Sequence, residues 1–63
     1  MRLAQYMDME DLIDETVAEA LGCSRPSVTR YRQGKQNPSL PMMAKIRDYT
    51  EGRVMPNDWL ESS

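Results

Sequence analysis

Apolar side chains recur along this chain at helical intervals. Leu3, Tyr6 and Met7 fall on one side of a first helix over about residues 2–9, and Val17, Ala18 and Leu21 do the same for a second that starts near Asp14. Val28 and Tyr31, three apart, stripe a third helix from Ser24 to Gln33. Leu40, Met43, Ile46 and Tyr49 recur every three residues in a fourth, and Pro56 opens a short fifth that carries Trp59 and Leu60 toward the core. The residues between these stripes suit the ends of helices. Gly22 can take the left-handed backbone that closes the second helix, Ser24 and Ser39 can cap the third and fourth, and Glu51-Gly52 ends the fourth. Pro26 sits in a first turn, where its missing N–H costs nothing. The pattern predicts an all-α fold, a compact bundle of about five short helices in one domain over residues 1–63.

The most informative stretch is residues 15–38, where two striped helices meet at a tight Gly-Cys-Ser turn. Ala18 is small enough for the next helix to cross close by. This is the layout of a helix-turn-helix, placed at about residues 14–33, although an αα-corner that merely packs shares its outline. The outer face of the third helix favours the former. At 100° per residue, burying Val28 and Tyr31 turns Pro26, Thr29, Arg30 and Gln33 outward, with Arg25 at the amino-terminal tip. An arginine fork matches guanine O6 and N7, a glutamine amide matches adenine N6 and N7, and a threonine methyl can touch that of thymine.

On these residues the chain resembles the helix-turn-helix family of Cro and lambda-repressor type. The resemblance runs through Ala18, Leu21-Gly22, Ser24-Arg25, Val28, Tyr31, Gly34-Lys35 and Asn37-Pro38-Ser39, and continues into Thr50, Gly52, Val54, Pro56 and Asp58-Trp59-Leu60. It implies a small helical DNA-binding domain, usually dimeric on a near-palindromic operator, that blocks or tunes transcription, as in a phage or prophage repressor. Arg25, Ser27, Thr29, Arg30 and Gln33 are then the candidate base-reading residues. Lys35, Gln36 and Asn37, in the loop that follows, are the candidate phosphate contacts.

Charge changes the picture only after it is mapped. The net charge is −2, unpromising for a partner that is itself an anion. Residues 1–19, however, set Arg2 against six carboxylates, a net of −5, while residues 25–53 set seven cations against Asp48 and Glu51, a net of +5. Fields are screened beyond about 10 Å at 0.1 M salt, so the basic half can meet a phosphate backbone while the acidic half faces away.

Composition narrows the chemistry. One cysteine and no histidine leave no internal disulfide, no Cys/His zinc set and no thiol–imidazole pair, and no glycine-rich phosphate loop or nucleophile elbow is present. Neither enzyme activity nor a cofactor is expected. No apolar run is long enough to span a membrane and the amino terminus does not read as a signal peptide, so a cytoplasmic protein is expected. Sixty-three residues bury only about 60% of their unfolded surface, and a homodimer would help so small a core. Met42, Met55, Trp59 and Leu60 are more apolar surface than one core needs, and suit a two-fold contact. A rival reading is a protein-interaction module, antitoxin-like, whose acidic half binds a basic partner.

Three departures from the family pattern follow from the resemblance. Asp14 stands where relatives often have a Gln that touches phosphate and braces the recognition helix, and a carboxylate there would be repelled by phosphate. Pro26 replaces a residue able to hydrogen-bond a base. Arg32 stands where a Glu commonly pairs with an Arg of the first helix; here it either pairs with Asp8, polarity swapped, or reaches a phosphate. Glu15 and Glu19 resemble positions through which some relatives touch RNA polymerase.

Overall fold

The computed structural model describes residues 1–60, apart from the side chain of Leu60, and holds five helices there: α1 (Leu3–Glu10), α2 (Asp14–Leu21), α3 (Arg25–Gln33), α4 (Leu40–Tyr49) and α5 (Pro56–Leu60). No strand occurs among the described residues, and the all-α bundle predicted from the periodicity is the one observed.

The first four helices end in the same way. Past each, the backbone turns left-handed and an N–H reaches back five residues: Leu12 to the Met7 carbonyl at 2.8 Å, Cys23 to Ala18 at 3.0 Å, Lys35 to Arg30 at 3.0 Å and Gly52 to Arg47 at 2.8 Å. Glycine takes the left-handed position after α2 and α3, with φ of 72° at Gly22 and 76° at Gly34. After α1 it falls to Asp11 at φ of 55°, which the sequence pattern does not mark, and after α4 to Glu51 at 56° and Gly52 at 83°, the pair expected to end that helix. The starts of α3 and α4 carry the expected serine caps. Ser24 Oγ accepts from the Ser27 N–H at 3.4 Å and Ser39 Oγ from the Met42 N–H at 3.3 Å, with Pro26 and Pro41 in the first turns. α2 begins after Ile13 with no side-chain cap; Asp14 and Glu15 in its first turn face the positive end of the helix dipole.

The core is drawn from every helix up to α4. Leu3, Met7, Val17, Ala18, Leu21, Val28, Tyr31 and Ile46 are buried together with Val54 of the α4–α5 connection, and Met43 is buried beside them. Burial of each of the larger aliphatic side chains is worth about 1.5–3 kcal/mol. Trp59 brings α5 edge-on to Tyr31, ring centroids 6.1 Å apart, and Tyr6 meets Tyr49 the same way at 6.4 Å. One polar residue joins this core. The Thr50 hydroxyl donates to the Ile46 carbonyl at 2.8 Å and accepts from the Val54 N–H at 3.0 Å, so the chain can leave α4 inside the protein without an unpaired donor.

Leu40 departs from the expected stripe. It is 73% exposed at the first position of α4, while Met43 and Ile46 lie inward. The helix meets the core only one turn later, through Met43 and Ile46.

Candidate nucleic-acid interface

α2 packs on α3 through buried Val17, Ala18 and Leu21 against Val28 and Tyr31. With that side fixed, Arg25, Pro26, Arg30 and Gln33 lie exposed along the other side of α3. Arg25 and Arg30 take part in no ion pair among the described residues. Both residues are exposed with their guanidinium donors uncommitted, and Arg25 also borders the groove that holds Asp14 and Arg32. Lys35, Gln36 and Asn37 are exposed just past Gly34, at the carboxy-terminal end of the same helix, and buried Pro38 anchors the far side of their loop.

The other predicted readers are already engaged. Ser27 is half-buried, its hydroxyl 2.9 Å from that of Ser24. Thr29, also half-buried, donates its hydroxyl to Asp14 Oδ2 at 2.6 Å, with the Arg25 carbonyl at 3.2 Å. Arg32 donates from Nε to Asp14 Oδ1 at 2.8 Å and from a terminal nitrogen to Oδ2 at 3.1 Å, a two-point fork of the kind arginine makes with carboxylates.

The partner of Arg32 is thus Asp14, at the start of α2, and not Asp8 of α1. Thr29 and Arg32 are three apart on α3 and share the side turned toward the first turn of α2, where Asp14 meets both. Asp8 lines the same groove, with Met7, Leu12 and Ile13, and adds a favourable charge to Arg32 without bonding it. The bonds from Arg32 and then from Thr29 hold the Asp14 carboxyl below the ordinary carboxylate range, against the opposing pull of its partial burial. Position 14 keeps the bracing half of the role that the resemblance implied, performed by charge. The spacing of Thr29 and Arg32 is the signal in the sequence for this partner, since it sets two donors on one side of α3 facing the first turn of α2.

The four residues singled out for a two-fold contact are divided. Met42 and Trp59 pack partly against the core, Met55 is 39% exposed, and the Leu60 side chain lies outside the described residues. Among the described residues no helix is long and apolar enough to cross a membrane, and no group of His, Cys, Asp or Glu could hold a metal ion.

A helix-turn-helix family model matches residues 2–53, which takes in α1 to α4 and the whole exposed face of α3. The chain belongs to the helix-turn-helix family. Membership makes it a DNA-binding transcriptional regulator, and α2 and α3 form its two-helix corner. Comparison of this helix-turn-helix protein with curated proteins and with solved structures gave no match.

Proposed function

We propose that this regulator is a sequence-specific repressor of Cro-like type that binds operator DNA in the major groove as a homodimer, in the cytoplasm of a bacterial cell. The observation that carries the reading is the uncommitted row of Arg25, Arg30 and Gln33 along the exposed side of α3. Eight residues separate its ends, about 12 Å of helix, enough to cross three or four base pairs. Arg25 and Arg30 serve as the base-reading forks, Gln33 assists at the far end, and Lys35, Gln36 and Asn37 hold the backbone beside it. The half-buried surfaces of Met42 and Trp59, with exposed Met55, supply the apolar part of a two-fold contact. Glu15 and Glu19 stay exposed on α2, available to RNA polymerase at a neighbouring promoter. The reading involves no catalytic step and no cofactor.

Selection of bound duplexes from a random library tests it. The expected product is an inverted repeat whose half-site centres lie about 34 Å apart, one turn of B-DNA. Failure to enrich any sequence, together with capture of a basic protein by the acidic half, would replace this reading with that of an interaction module.

A further inference from the structure

Of the five candidate base-reading residues, Thr29 is the one whose polar atom is tied to another helix. Its Oγ1 lies 2.6 Å from Asp14 Oδ2 and 3.2 Å from the Arg25 carbonyl, so it is held from two directions. The second contact, one turn back along α3, also restricts the side chain's rotation. Asp14 is in turn fixed by the two-point fork of Arg32 and carries its charge firmly. A hydroxyl has one proton to give, and here a carboxylate takes it. Thr29 nevertheless stays partly exposed, between Arg25 and Arg30 on the face turned from the core. What it still has to offer a ligand is its methyl group, beside the acceptor lone pairs of an oxygen held toward Asp14.

Resting on the DNA-reading role of α3, we propose that Thr29 determines specificity by packing its methyl against the C5-methyl of a thymine, with Asp14 as the positioning residue that turns the hydroxyl away from the bases. In the major groove thymine is the only standard base that presents a methyl group, so an apolar contact at this point separates it from the other three. Arg25 and Arg30 on either side would read neighbouring guanines, which places the selected thymine between their two contacts. Asp14, repelled by phosphate, has its place in the corner because it sets this side chain.

The test begins with a duplex selected by the protein itself, in which each thymine is replaced in turn by uracil. Uracil differs only by the missing methyl. At one thymine per half-site the replacement should weaken binding about fourfold, the effect of burying one methyl-sized group. Thr29→Ser keeps the hydroxyl for Asp14 and loses the methyl, and should bind the thymine and uracil duplexes equally. Thr29→Val keeps the methyl and loses the hydroxyl, and should retain the preference for thymine. The proposal is overturned if no thymine responds to uracil, or if Thr29→Ser keeps the preference and Thr29→Val abolishes it, the mark of hydroxyl reading. A protein that selects no duplex at all overturns the operator-binding reading, whereas one that selects a duplex indifferent to uracil overturns only the role of Thr29.

Discussion

A single carboxylate, Asp14, links the two helices of the corner. It accepts three hydrogen bonds from α3, from the Thr29 hydroxyl and from two nitrogens of Arg32. Because those partners favour the ionised form, its folded-state pKa lies below that of the unfolded chain. The stability it contributes is therefore present in full above the unfolded carboxylate range near pH 4 and is lost as the pH falls through the depressed folded value. Asp58, held down by the Met55 N–H and then by the Met1 ammonium, acts in the same direction. Asp14→Asn should lower stability at pH 7 by about 1 kcal/mol, since solvent reaches the pair, and should flatten the acid limb of a plot of melting temperature against pH. An acid limb as steep as that of the parent would mean that the carboxylate is not paired in solution. In double-mutant cycles to alanine, Asp14 with Arg32 should be clearly non-additive, while Asp8 with Arg32 should show a much smaller coupling. On the exposed side, Arg30→Ala should cost about 1–3 kcal/mol on the selected operator and relax preference at one base pair. Equal losses on operator and random duplex would remove Arg30 from the base-reading set.

At the scale of elements, the order of helices and turns follows from a few residues whose geometry admits few alternatives. Gly22, Ser24, Gly34 and Ser39 bound α3 and the start of α4 as their chemistry dictates, and the stripe of Val17, Ala18, Leu21, Val28 and Tyr31 fixes which side of α3 faces out. Arg25, Arg30 and Gln33 were legible for that reason. What was not legible depends on contacts between elements. Leu40 continues the apolar period of α4, yet nothing local says that the core begins one turn later. The fork from Arg32 could have gone to any of three acidic side chains along its groove, Asp8, Asp14 or Glu15, and only the placement of α2 against α3 selects Asp14. Thr50 could not be told from a surface threonine, although it is fully buried and accepts the Val54 N–H. Thr50→Val keeps its shape and leaves that N–H without a partner inside the protein. The expected loss is about 1–3 kcal/mol, seen as a lower denaturant midpoint with an unchanged slope. A neutral result would mean that water reaches the α4–α5 connection.

The whole molecule carries a charge of −2 and yet presents a basic helix to its ligand, so its affinity for DNA is a difference between two opposing fields. Arg25, Arg30 and Lys35 are exposed on α3 and its following loop, while Glu15 and Glu19 are exposed on α2, the helix packed directly behind. The two sets lie on adjoining helices, where each can act on the same phosphates at low salt, and no ion pair joins them among the described residues. Lys35→Ala removes one counterion-releasing contact, so it should weaken operator and random duplex alike and reduce the slope of log affinity against log salt by about one. The pair Glu15→Gln and Glu19→Gln touches no base and should act in the opposite sense. Affinity for every duplex should rise about two- to threefold at 50 mM salt, and the gain should shrink as the screening length falls to about 8 Å near 0.15 M. Preference for the operator over random DNA should stay unchanged, because a long-range field acts on backbone charge without regard to sequence. Measured by titrating both duplexes at several salt concentrations, a gain confined to the operator would show that these glutamates shape the recognition surface itself. A uniform gain that fades with salt would show that the acidic half restrains non-specific binding, which widens the margin by which three exposed side chains of one short helix can distinguish a site.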